Sequence, residues 1–128
     1  MPARYKRPLL DLAPDILRAI DEELQERIEE LRAEIDDLDA QIKIVRGKAA
    51  RWLELEWEIG RLKRRGASAE EIERVRKEME ALMIGGKKPG DALSELIEQR
   101  KQVAKELVKL DALEEDLRMV IDEAEEVL

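Results

Sequence analysis

Residues 17–45 read LRAIDEELQERIEELRAEIDDLDAQIKIV, and this stretch decides the fold. Apolar residues recur in it every seven positions, and a second apolar column lies between them. This spacing of alternating fours and threes is typical of a coiled-coil seam, because it returns to the same helix face every two turns. The two columns continue beyond the stretch and comprise Leu17, Leu24, Leu31, Leu38, Val45, Trp52 and Ile59, with Ile28, Ile35, Ile42 and Ala49 between them.

The seam predicts one helix over residues 14–65. Pro14 suits the first turn of that helix, because the backbone N–H that proline lacks has no helical partner there. Gly66 suits the position just after the helix, where a left-handed backbone is common. The step from Trp52 to Leu55 is shorter than the seam requires, which indicates a local change of register.

Two shorter helices are predicted to follow and to return antiparallel to the first. Ser68 and Glu71 have the spacing of a capping box at the start of the second helix, which is predicted to end before Gly85. Asp91 is predicted to cap the third helix, which continues to about Val127. The seam of the third helix comprises Leu96, Val103, Leu110, Leu117 and Ala124, and its companion column includes the charged residues Arg100 and Glu114.

The sequence therefore predicts an all-α fold, a long antiparallel helical hairpin or coiled coil of three to four helices with an interrupted return arm. The interruption at 85–90 faces Gly47 when both arms are counted from the bend, so we expect a departure from a straight rod at this joint. Alternatively, the tip folds back onto the stem as a four-helix bundle. The predicted organisation is an extended N-terminal arm at 1–13 and a single helical domain at 14–128, with a stem at 14–46 and 91–127 and a tip at 48–84.

Apolar residues outside the seam predict an interaction surface. On the first helix they form a second stripe, and leaving its large side chains in water forfeits roughly 1.5–3 kcal/mol each. The N-terminal arm cannot form a continuous helix because of its prolines, and its leucines gain nothing unless they lie in a groove. We therefore expect a homo-oligomer or a protein partner, with an interface at Leu9, Leu10, Leu12, Ile44, Ala50, Leu53 and Trp57.

The composition argues against a catalytic protein. The net charge is −8, and the chain contains neither His nor Cys, so it lacks the usual bases, nucleophiles and metal ligands. Only Ser68 and Ser94 could supply a hydroxyl nucleophile, and no phosphate-binding loop pattern occurs. We expect no catalytic residue, no metal site, no cofactor and no small-molecule substrate. Neither a signal-peptide pattern nor a membrane-length apolar run occurs, which indicates a soluble chain without a membrane partner and does not decide its compartment.

Basic residues crowd the bend after the first helix, at Arg61, Lys63, Arg64 and Arg65. Cations at the C-terminal end of a helix complement its dipole, which is the structural interpretation of the cluster. The functional alternative is a set of phosphate contacts at a nucleic-acid-binding tip.

Residues 58–66, EIGRLKRRG, followed by the capped helix at 69–82, resemble the distal part of the coiled-coil arm of seryl-tRNA synthetases. In that family an antiparallel helical hairpin carries basic residues that contact the long variable arm of tRNA. The resemblance implies that Lys63, Arg64 and Arg65 would contact RNA. It covers about 25 residues, and the chain departs from the family in its broken return arm and in having no synthetase catalytic domain.

The residue vocabulary also resembles that of designed helical bundles, which combine Glu, Lys, Arg, Leu and Ala with Ser caps and Gly stops. Thermophilic structural proteins share this vocabulary, so a thermostable fold is expected in either case. Gly47 and Gly60 lie inside a predicted helix, which design rules avoid. The function expected from the sequence is non-catalytic structural assembly through coiled-coil association, with nucleic-acid binding or a design without natural function as alternatives.

Overall fold

The computed structural model describes residues 13–127, and these residues form three helices. Helix α1 is Pro14–Arg65, α2 is Ala69–Leu82 and α3 is Pro89–Val127. No strand occurs in this part of the chain, so the predicted all-α fold is confirmed, and α1 continues as a helix through Gly47. Most of the predicted N-terminal arm, with Leu9, Leu10 and Leu12, lies outside the described residues.

Both ends of α1 form as the sequence predicts. The carbonyl of Ala13 accepts hydrogen bonds from the N–H groups of Ile16 and Leu17, so Pro14 occupies the first helical position. At the other end Gly66 has a φ of +74°, and the N–H of Ala67 donates to the carbonyl of Leu62 at 3.0 Å. That six-to-one hydrogen bond is the Schellman motif, which pairs carbonyls that the helix end leaves free.

Helix α2 begins at the predicted cap and ends earlier than predicted. The Ser68 hydroxyl accepts a hydrogen bond from the Glu71 N–H at 3.3 Å, which is one half of the predicted capping box. The Glu71 carboxylate lies 3.8 Å from the Arg65 guanidinium. The last helical residue is Leu82, because Met83 is extended, with ψ 146°.

A tight turn joins α2 to α3. Ile84 and Lys87 exchange two backbone hydrogen bonds, of 2.9 and 3.0 Å, across Gly85 and Gly86. Both glycines have positive φ, 56° and 76°, as the two central residues of a type I′ turn require. The predicted interruption of the return arm is therefore a hairpin turn built on two glycines.

The predicted start of α3 is wrong by two residues, and Asp91 is not its cap. The helix begins at Pro89, and the carbonyl of Lys88 accepts hydrogen bonds from the N–H groups of Asp91 and Ala92. The φ of proline is already set for a helix, so α3 begins at Pro89, two residues before the predicted start. Asp91 lies in the first turn, where its charge favours the helix dipole.

The contacts divide the described chain into two compact units. The first, here called the terminal unit, holds the described residues up to Asp36 and those from Lys101 onward. Its core joins the start of α1 to the end of α3. The buried members of this core are Leu17, Leu117, Val120, Ile121 and Ala124, with Ile20 and Leu24 packed against them.

Ion pairs across the terminal unit show that its two helices are antiparallel. Arg18 pairs with Glu125, and Arg32 pairs with Asp111 at 3.5 Å. Residue numbers rise along α1 while those of the partners fall along α3. The half-buried Glu114, a charged member of the α3 seam, accepts a hydrogen bond from Gln25 at 3.4 Å.

The second unit, here called the turn unit, is Asp37–Arg100. Its buried core residues are Leu55, Leu62 and Val75, with Ile59, Ala67, Ile72, Met79 and Leu82 packed against them. Arg51 pairs with Glu78 on α2 at 3.1 Å, and Arg100 on α3 pairs with Asp39 on α1. Leu55 is fully buried, so the seam shifts register after Trp52 as predicted.

Candidate interaction surfaces

The outer stripe of α1, defined as Ile44, Ala50, Leu53 and Trp57, lies on the surface of the turn unit. Ile44 is 62% exposed, Leu53 61% and Trp57 76%, and Ala50 is also exposed. The seam turns toward α2 and α3, so these off-seam residues are left outside. All four predicted members that the structure describes are therefore accessible to a partner.

Trp57 is the largest apolar group of the outer stripe. It lines two adjacent grooves, one of which also involves Leu53 and Arg61 and the other Gly60 and Arg64. A Cβ built on Gly60 would have no neighbour within 4 Å, so the backbone beside the indole is open. The surface at this point therefore combines an exposed ring with an accessible stretch of backbone.

The basic end of α1, defined as Arg61, Lys63, Arg64 and Arg65, is exposed throughout. Arg65 lies near Glu71, and the other three have no ion pair within 4.0 Å among residues 13–127. Three of the four lie in the last turn of α1, where positive charge is favoured by the helix dipole. The structure thus brings the four cations to one helix end, and Trp57 lies beside two of them, Arg61 and Arg64.

Further exposed apolar side chains lie on α3. On α3 they are Val108, Leu113 and Met119 in the terminal unit and Ile97 in the turn unit. Ile16 of α1 and Met83, which follows α2, are exposed as well. Ile97 and Val108 lie off the predicted seam of α3. Leu113 and Met119 were not predicted, because apolar residues occur on all sides of α3 and no single period separates them.

A polar cluster lies between α1 and α3 in the terminal unit. Gln25 donates to Asp21 Oδ2 at 2.9 Å, while Asp21 Oδ1 is buried without a hydrogen-bond partner. Burial raises the pKa of Asp21, and the negative charge of Glu114 raises it further, against the lowering effects of Arg118 and of the hydrogen bond from Gln25. No group of three or more metal-ligating side chains converges anywhere in the part of the chain that the structure describes.

None of the described helices is long and apolar enough to span a membrane. No family model, curated protein or solved structure matches this chain.

Proposed function

We propose that this chain is a non-catalytic assembly protein that acts by helix–helix association with a second copy or with a protein partner. The observation that carries the proposal is the outer stripe, where Leu53 is 61% exposed and Trp57 is 76% exposed. Burying a large apolar side chain contributes roughly 1.5–3 kcal/mol, so burial of this stripe favours association. Tryptophan is also among the residues that most often dominate interface energetics.

The proposal is tested by sedimentation velocity over a range of protein concentrations. We expect the intact chain to associate, and we expect Trp57→Glu to weaken the association because it places a charge in the interface. Ala33→Glu adds the same charge at an exposed position of the same helix and serves as the control. Deletion of residues 1–12 tests the leucines of the predicted N-terminal arm in the same assay.

The proposal fails if the intact chain remains monomeric at every concentration and neither Trp57→Glu nor the deletion changes its behaviour. Helical content measured by circular dichroism separates a loss of association from a loss of folding. Since Trp57 is largely exposed, its replacement should leave the fold intact.

A second candidate is nucleic-acid binding through the basic end of α1, favoured by the exposure of Arg61, Lys63, Arg64 and Arg65. Phosphate contacts of this kind weaken steeply with salt. The test is retention on heparin or RNA at low salt, compared with a variant in which all four cations are Gln. Lys101, Lys105 and Lys109, also exposed, are replaced in a control variant. Equal retention of both variants argues against a specific basic site.

A further inference from the structure

Three members of the outer stripe, Ala50, Leu53 and Trp57, belong to a second heptad pattern, here called the outer heptad. Ala50, Leu53, Trp57, Gly60 and Arg64 follow one another in steps of three and four, as the buried seam does. A seam with this spacing faces a partner helix, because 3.5 residues then complete each turn of a coiled coil. In this chain α2 and α3 cover the other face of α1, so the outer heptad has no helix against it within the described turn unit.

We propose that the outer heptad pairs antiparallel with the outer heptad of a second copy, with Trp57 of each copy packed on Gly60 of the other. This inference rests on the proposed assembly function and names its partner and its contact. A second copy is inferred as the partner for two reasons. The charges that flank the outer heptad complement those of a second copy, and Gly60 leaves room for the partner's indole.

The flanking charges select the register. On one side of the outer heptad lie Glu54 and Arg61, and on the other lie Glu56 and Lys63. When Trp57 of one copy lies opposite Gly60 of the other, each Glu54 faces an Arg61 and each Glu56 faces a Lys63. Four attractive pairs form, because the two-fold axis repeats each contact.

The alternative registers bring like charges together. A slip of seven residues in one direction places Glu54 opposite Glu54 and Glu56 opposite Glu56. A slip in the other direction places Arg61 opposite Arg61 and Lys63 opposite Lys63. A parallel pair would place Arg64 against Arg64. It would also place Gly60 against Gly60, which leaves a gap, and Trp57 would then have no small residue opposite it.

Gly60 supports the same contact. A glycine inside a helix is less favourable than alanine by about 1 kcal/mol, and a Cβ built at Gly60 would meet no atom within 4 Å beyond its chain neighbours and the adjoining helix backbone. The fold itself therefore does not need glycine at this position. Close approach of a partner's indole to the helix backbone does need it, because any side chain would separate the two helices.

The experiment measures self-association of the full chain by sedimentation equilibrium. Gly60→Gln should weaken the association by about tenfold or more, because it fills the space for the indole, while it leaves the helix at least as stable. Gly47→Gln makes the same substitution elsewhere in α1, where an added Cβ likewise meets no atom within 4 Å, and serves as the matched control.

Charge reversal tests the register. Glu54→Arg alone and Arg61→Glu alone should each associate weakly, because like charges then face each other twice. An equimolar mixture of the two variants should form a heterodimer, in which every pair is attractive again. Both residues are exposed, and Glu54 also pairs with Arg51 at 3.0 Å, so circular dichroism is used to check that each variant folds.

The outcomes separate this inference from the proposed function. Loss of association with Gly60→Gln and recovery in the mixture support the outer-heptad dimer. Association that persists in Gly60→Gln and in both charge variants overturns the dimer and leaves assembly through another surface standing. An intact chain that is monomeric at every concentration overturns the dimer, and with no effect of the N-terminal deletion it overturns the proposed function as well.

Discussion

The two tryptophans of α1 differ in environment although they lie within two turns of the same helix. Trp52 is half-buried, and its Nε1 donates a hydrogen bond to Glu56 at 2.6 Å. Trp57 is largely exposed. The seam decides the difference, since Trp52 occupies a seam position and Trp57 does not. At the scale of single residues, position along the heptad determines whether a side chain stabilises the fold or remains available to a partner.

Leu31→Ala should lower the free energy of unfolding by about 2–5 kcal/mol, because Leu31 is fully buried and the change leaves a cavity. The neighbouring Arg32 pairs with Asp111 on the surface, so Arg32→Ala should cost about 1 kcal/mol or less. Leu113→Ala, at a half-exposed position of α3, is the matched leucine control. Chemical denaturation measures all three, and equal losses would mean that a different face of the helices is buried.

Asp21→Asn should raise the free energy of unfolding at neutral pH by about 1 kcal/mol, because an amide can donate to Glu114 where the carboxylate cannot. The raised pKa of Asp21 means that the folded chain binds a proton more readily than the unfolded chain. The contribution of Asp21 to the free energy of unfolding of the native chain therefore increases as the pH falls through the raised pKa. The advantage of the Asn variant should be largest near neutrality and should shrink toward about pH 4, close to the ordinary pKa of Asp.

Asp37→Asn is the matched control for that experiment. Gln41 donates to Asp37 at 2.8 Å, as Gln25 donates to Asp21, but Asp37 is exposed. Thermal unfolding followed by circular dichroism at several pH values compares the variants. A pH-independent difference between Asp21→Asn and the native chain would contradict the assigned role of burial.

At the scale of elements, the sequence predicts the ends of α1 and the start of α2 correctly. Gly66 and Ser68 act through local backbone geometry, which a sequence pattern captures directly. The predicted start of α3 is wrong because Pro89 and Asp91 are both suitable for a helix N-terminus, and the sequence pattern does not rank them. The fixed φ of proline lets the helix begin at Pro89, and Asp91 then lies in the first turn.

Gly47→Ala should stabilise the fold by up to about 1 kcal/mol. Helix α1 continues through Gly47, and an added Cβ meets no atom within 4 Å. Gly66→Ala should instead destabilise it by about 1 kcal/mol or more, because Gly66 has a φ of +74°. The free energies of unfolding of the two variants compare these effects. Destabilisation by Gly47→Ala would show that the predicted joint depends on glycine at this position.

At the scale of the whole molecule, the helical fold follows from periodicity, whereas the interaction surfaces follow only in part. Ile44, Leu53 and Trp57 were identified because they lie off a clear seam, and all are exposed. The partial burial of Asp21 is not predicted by the sequence, since it depends on which residues of α3 lie beside α1. A seam predicts that a helix has a partner, but the register of two distant segments is set by tertiary packing.

The sequence separations of the ion-paired residues have a consequence for the order in which the chain folds. Arg51 and Glu78 are 27 residues apart in sequence, Arg100 and Asp39 are 61 apart, Arg27 and Glu106 are 79 apart, and Arg18 and Glu125 are 107 apart. Closing a short loop costs less entropy than closing a long one, so contacts near the Gly66 bend should form first. Refolding followed by pulsed hydrogen exchange should protect the amides around Leu62 and Val75 before those around Leu17 and Val120. The contacts of the terminal unit, such as that between Arg18 and Glu125, would then form last, so this unit stays open for longest during refolding.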